Sequence, residues 1–177
     1  MKENSTKNRF NNIIKDLNSG EDKKVLTAIK QLRKHGKPEA IEPLLDLYVS
    51  TNNDTIKNDI TTLLFDLKDE SVVPVIMNAV ESEKYSQINS FLISIFWQAA
   101  IDSSSYITNL VKQAIKNDYF SCLEVLSVIE SYDTTFDETE IEDLKFDIDD
   151  AADEADEEKR KLLLTLKNAV ENLSIEY

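Results

Sequence analysis

Glycine and proline are scarce, 2 and 3 among 177 residues. A β-sandwich or barrel needs a turn about every 8–12 residues, usually with Gly, Pro or Asn-Gly chemistry. Rossmann and P-loop enzymes need a glycine loop through which backbone N–H groups reach phosphate. Neither composition is present. One cysteine and one histidine leave no Cys/His zinc site within the chain and no intramolecular disulfide. Long hydrophobic runs are missing as well. The longest, Phe91 to Ile101, is interrupted by Ser94 and Gln98 and is too short to span a bilayer. The N-terminal MKENSTKNRFNN lacks the apolar stretch of a secretory signal. With a lone cysteine, these absences lead us to expect a cytoplasmic location and no membrane partner.

What is present is enough for a folded core. Hydrophobic residues make up 41% and charged residues 31% of the chain. The length is that of a single domain, expected over residues 1–177.

Hydrophobic periodicity organises the chain. Val25, Ile29 and Leu32 stand at i, i+4, i+7, a stripe on one helical face. The triplet returns as Ile56, Ile60 and Leu63, as Ile88, Leu92 and Ile95, and as Cys122, Leu126 and Ile129. Between these runs a second stripe. Ile41, Leu44, Leu45 and Tyr48 are echoed by Val72, Val75, Ile76 and Ala79, then by Ile107, Leu110, Val111 and Ala114. Ile141, Leu144 and Ile148 continue it, with Lys145 the exception. Each unit is therefore two amphipathic helices, A and B. One such hairpin cannot bury its apolar face alone, and stacking neighbours is the physical solution.

Punctuation agrees with this reading. Gly36 follows the first A helix, where a left-handed residue is expected. Pro43 and Pro74 fall at equivalent places and are tolerated only in a first helical turn, so the B helices are expected to begin near Ile41 and Val72. Asp22, Asp54 and Ser71 are the expected N-caps.

The segment Asp22-Lys-Lys-Val-Leu-Thr-Ala-Ile-Lys-Gln-Leu, followed by Gly36-Lys-Pro-Glu-Ala-Ile-Glu-Pro-Leu-Leu, resembles a bacterial HEAT repeat of the phycobilisome-lyase type. Asp22, Val25, Ala28, Leu32, Gly36, Pro38, Glu39, Ala40, Ile41, Pro43 and Leu44 fit that pattern. The second repeat matches through Asp54, Ile56, Lys57, Val72, Val73 and Pro74, whereas repeats three and four keep only the hydrophobic spacing. The resemblance implies an all-α, right-handed α-solenoid (an α-α superhelix) of about four to five helical hairpins. Residues 1–20 would form an N-terminal capping helix and 21–133 the best-matched repeats. Residues 134–177 would hold an acidic helix and a C-terminal capping helix.

The net charge of −14 is concentrated. Between Thr134 and Glu158 thirteen acids face one base, Lys145, so this segment carries −12, whereas residues 1–37 carry +6. The run Asp147 to Glu158 has the length of a calcium loop. It places Ala151 and Ala152 where an EF-hand needs an oxygen ligand and a glycine. The expectation is an acidic helix with Ile141, Leu144, Ile148, Ala151, Ala152 and Ala155 on its inner face. Its last carboxylates would oppose the helix dipole and repel one another, so the cluster suggests a basic partner.

Other reactive-looking residues have ordinary explanations. His35 sits at a helix C-terminus, where a donor is favourable, and Cys122 occupies a core position. Phe91, Phe96 and Trp97 belong to a helix expected to be covered by its neighbours. We assign no catalytic residue, no metal ligand and no cofactor.

The functional expectation is a non-catalytic protein-interaction module or scaffold whose acidic helix attracts a basic protein. Its candidate contact residues are Asp147, Asp149, Asp150, Asp153 and Glu154 on that helix. Glu42, Asp46, Asn78, Glu81, Asn109, Lys112 and Gln113 are the candidates on the B-helix ridge, with Trp97 beside them. Two alternatives come from other classes. The resemblance extends to enzymes, DNA glycosylases and bilin lyases, but the negative charge opposes a nucleic-acid partner. An acidic inhibitor or immunity-type protein covering a basic active site also suits the charge.

Overall fold

The structure is a computed structural model. It describes residues 2–35 and 37–176, with the backbone alone for residues 2–6 and 35. The protein is all-helical in class. Its α-helices are α1 (Lys2–Leu17), α2 (Asp22–His35), α3 (Ile41–Ser50), α4 (Asp54–Phe65), α5 (Val73–Glu81), α6 (Asn89–Ala99), α7 (Ile107–Lys116), α8 (Tyr119–Glu130), α9 (Glu138–Glu154) and α10 (Glu157–Glu171). Two short strands, β1 (Thr135–Phe136) and β2 (Ser174–Ile175), complete the described elements. The chain gathers into two compact units, Met1–Ala79 and Val80–Tyr177, with the boundary inside α5.

In the first unit α1 packs on α2 and α3, and α4 packs on the same two helices. The expected stripes form its core: Val25, Ile29 and Leu32 from α2, Ile41, Leu44 and Leu45 from α3, Ile56, Ile60 and Leu63 from α4. Ile13 and Leu17 of the N-terminal helix join them. Two polar links tie α2 to the α4 segment. Asn53 Nδ2 donates to Asp22 Oδ2 over 2.8 Å, and Arg33 pairs with Asp66 at 2.8 Å.

The helix starts are close to expectation, with a correction to the caps. α3 begins at Ile41 and α5 at Val73, so Pro43 and Pro74 fall in first turns. A single 3-10 turn precedes each, Pro38–Ala40 and Glu70–Val72. The N-cap of α4 is Asn53, whose side chain accepts from Thr55 N and Ile56 N, while Asp54 is the first helical residue. Asp69, not Ser71, caps the Glu70–Val72 turn by accepting from Ser71 N. Carboxylates and carboxamides of short reach compete for this position, and neighbouring candidates are hard to separate by sequence alone. Asp22 is the first residue of α2. Gly36 lies outside the described residues.

In the second unit α6, α8 and α10 pack in succession. α7 packs on α8 and beside α9, and α9 packs on α10. β1 and β2 pair in parallel, Thr135 opposite Ser174 and Phe136 opposite Ile175, which pins the C-terminal segment beside the start of α9. Leu92, Ile95, Cys122, Leu126, Ile129, Ile141, Leu144 and Ile148 are buried as expected. Ile88 is the exception. It ends the 3-10 segment Glu83–Ile88 and is only half-buried, and the adjacent Asn89 takes the buried place at the start of α6.

α6 ends without a glycine or a proline. Ala100 is left-handed, at φ 53°, ψ 51°. Ala100 N donates to Trp97 O, and Ile101 N donates to Phe96 O. Ile101 and Phe96 are both buried. This is a Schellman helix end with alanine where glycine is usual.

Candidate functional site

The second unit contains an open groove of about 680 Å³ lined by α7, the C-terminal half of α9 and the start of α10. One wall carries Lys112, Gln113 and Lys116. The other carries Asp147, Asp150 and Glu154. Lys112 and Gln113 from one set of sequence candidates thus meet Asp147, Asp150 and Glu154 from the other at one surface, with Lys116 added by the structure.

Helical geometry sorts the acidic residues. Asp143, Asp147, Asp150 and Glu154 stand at i, i+4, i+7, i+11 and form a single stripe of exposed carboxylates. Asp149 and Asp153 lie on another side of α9, where Lys167 and Arg160 of α10 hold them at 2.5 and 3.4 Å. The five proposed carboxylates therefore divide into three that line the groove and two that are engaged by α10. Lys145 is also spoken for, bridging Glu142 at 2.9 Å and Glu171 at 3.3 Å. These carboxylates raise its pKa, the hydrogen bond it donates to Glu142 most of all.

The end of the acidic run corrects the expectation of one continuous helix. Ala155 is extended (φ −80°, ψ 157°), and Asp156 caps α10 by accepting from Lys159 N at 2.9 Å. Glu157 and Glu158 fall in the first turn of α10. They therefore favour a helix dipole instead of opposing one. Local stability accounts for these last three acids but not for the stripe. Lys159, at the floor of the groove, donates its ammonium to Ile115 O at 2.7 Å and to Asn117 O. It neutralises the carbonyl end of α7.

The ridge residues have structural work of their own. Asn109 donates to Glu81 at 2.6 Å, and Lys116 pairs with Glu83 at 3.1 Å. Gln113 Oε1 accepts from Asn89 at 3.3 Å and Asn117 at 2.8 Å. These α7 residues tie that helix to the segment before α6, so their polar groups are partly used internally. In the first unit Glu42 and Asp46 are exposed on α3 and Asn78 on α5. Trp97 is 36% exposed, with its indole N–H on Glu124 Oε2 at 2.7 Å. Phe91 is half-buried and Phe96 fully buried.

No protein-family model matches this chain, and no curated protein matches it significantly.

Among the described residues, Cys122 and Tyr132 are held in their neutral forms. Cys122 is fully buried, and desolvation pushes its thiol up to about 11. A thiol that resists ionisation is a weak nucleophile. Burial likewise pushes the Tyr132 phenol up, and its hydroxyl shares a hydrogen bond with Ser103 at 3.1 Å. The side chain of His35 lies outside the described residues.

Sequence reasoning missed the exposed apolar groups. Phe146 on α9 is 72% exposed and Phe120 on α8 is 64% exposed, with Tyr119 and Leu123 beside the latter. A helical wheel of α9 carried the signal. Phe146 lies opposite the Ile141–Leu144–Ile148 face, among carboxylates, where an aromatic does nothing for folding.

Proposed function

We propose that the chain is a non-catalytic protein-recognition module, a right-handed α-solenoid of HEAT-like hairpins acting in the cytoplasm. The succession of α6, α8 and the capping helix α10, with α7 beside α9, supports the solenoid reading. So does the return of the A-helix stripe every 31 to 34 residues. The groove between α7, α9 and α10 takes a basic segment of a partner protein.

The carboxylate stripe Asp143, Asp147, Asp150 and Glu154 carries this reading. Like charges at i, i+4 cost a few tenths of a kcal/mol each. Lys112 and Lys116 on the facing wall offset part of that cost, and a basic segment brought from outside would offset the rest. Such complementarity mainly speeds encounter and weakens with salt.

The test is affinity capture from the source lysate at low salt and at about 0.5 M salt. The wild type, the triple variant Asp147→Asn/Asp150→Asn/Glu154→Gln and the control pair Asp149→Asn/Asp153→Asn are compared. We expect a basic protein on the wild type and the control, released by salt and lost with the triple variant. Equal capture by the triple variant would refute the groove.

A further inference from the structure

Phe146 presents an aromatic side chain to solvent from the middle of α9. Its four nearest helical neighbours, at i−4, i−3, i+3 and i+4, are Glu142, Asp143, Asp149 and Asp150. Lys145 and Lys167 engage two of these, Glu142 and Asp149. The patch is therefore an apolar knob in a ring of net charge about −2. Exposed aromatics of this kind act as anchors when a partner supplies a desolvated pocket.

A pocket of the complementary kind exists in the first unit. It has a volume of about 410 Å³ and lies between the end of α2, the start of α3 and the end of α4. Leu32, Ile41, Leu44 and Leu63 give it an apolar floor. Arg33, Lys34, Lys37 and Lys68 stand around it against Asp66 and Asp69, a net charge of about +2. A cavity of ~150 Å³ is enough for one benzene ring, so this pocket has room for a phenyl ring together with side chains that flank it.

We propose that this pocket receives Phe146 of a second copy of the chain. The ring of carboxylates around the knob then faces the basic rim of the socket. Charge and polarity are complementary on both counts, so the occupant is read from the chain itself. Knob and socket are different surfaces, so a single contact leaves one unused socket and one unused knob on the pair, which either close on each other in a two-fold dimer or add further copies. Long-range repulsion between two chains of −14 is screened beyond about 8 Å at physiological salt, which leaves the local match to decide. The proposal goes beyond the groove reading and gives the Phe146 side of α9 a contact of its own, with a second copy of the chain.

Sedimentation velocity on the full chain tests it, up to about 0.2 mM protein and at low and ~0.5 M salt. Two variants are needed, Phe146→Ser without the knob and Lys34→Glu/Lys37→Glu with the socket reversed. All of these positions are exposed, and circular dichroism verifies that both variants fold. The wild type is expected to self-associate, less so in high salt, and each variant to associate at least tenfold more weakly. An equimolar mixture of the two variants retains one intact knob and one intact socket. It should form a dimer that grows no further. A monomeric wild type at low salt would overturn the proposal, as would undiminished association of Phe146→Ser or a mixture without dimers. Any of these results alongside retained, stripe-dependent capture of a basic protein would remove this proposal and leave the groove reading standing.

Discussion

Cys122 shows how far environment can separate a residue from its chemistry. The side chain has a packing role in α8, and its thiol is held in the neutral form by burial, up to about 11. The linkage follows from that direction. An unfolded thiol ionises from about pH 9, while the folded one keeps its proton, so the folded state binds more protons between those values. Its contribution is intact below pH 9 and is lost as pH rises toward 11, by roughly 2–3 kcal/mol at most. Urea melts at pH 8 and pH 10.5 should show a steeper loss for wild type than for Cys122→Ala. A parallel loss would mean the thiol is more hydrated than the structure shows. The cysteine should also resist alkylation until the protein unfolds. Trp97 is the other instructive residue. Its indole N–H is satisfied by Glu124, so its partial exposure reflects a polar tip at a surface.

Helix ends decide where the elements begin and stop. The sequence punctuates its first helices with Gly36 and proline, and has no glycine or proline after Pro74. α6 nonetheless ends in a Schellman arrangement at Ala100, using the backbone donors of Ala100 and Ile101. An L-residue in the left-handed region costs about 1–2 kcal/mol, and glycine avoids that cost while losing some entropy on folding. Ala100→Gly is therefore expected to stabilise the protein by about 0.5–1 kcal/mol, read as a higher urea midpoint at unchanged slope. A lower midpoint would show that Ala100 is held there by packing. The acidic segment makes the same point. Composition alone presented thirteen acids as one block, but the break at Ala155 divides them between the body of α9 and the first turn of α10. Asp156, Glu157 and Glu158 are helix-start residues, and their charge has a local use.

At the scale of the molecule, charge is the dominant unresolved cost. The stripe on α9 places Asp143, Asp147, Asp150 and Glu154 each about one turn from the next, in a chain of net charge −14. Screening should relieve this repulsion. Raising salt from about 0.02 to 0.5 M is expected to increase thermal stability, and the triple neutralised variant should show a clearly smaller gain. An equal gain would place the repulsion elsewhere. No helix among the described residues is long and apolar enough to cross a membrane.

What the sequence determined by itself is the helical class and most of the core. Periodicity reports which face of a helix avoids water, and that depends on residue type and spacing alone. The stripes at Val25, Ile56 and Ile107 accordingly lie where the pattern puts them. The tertiary structure alone decided which acids face a groove and which are held by Lys167 and Arg160. It decided that Asn109 and Gln113 bind their own neighbours, and that Asn53 rather than Asp54 caps α4. These outcomes depend on distances of a few ångströms between residues far apart in the chain. Hydrogen bonds and ion pairs are selective at that scale, whereas the hydrophobic pattern responds only to burial.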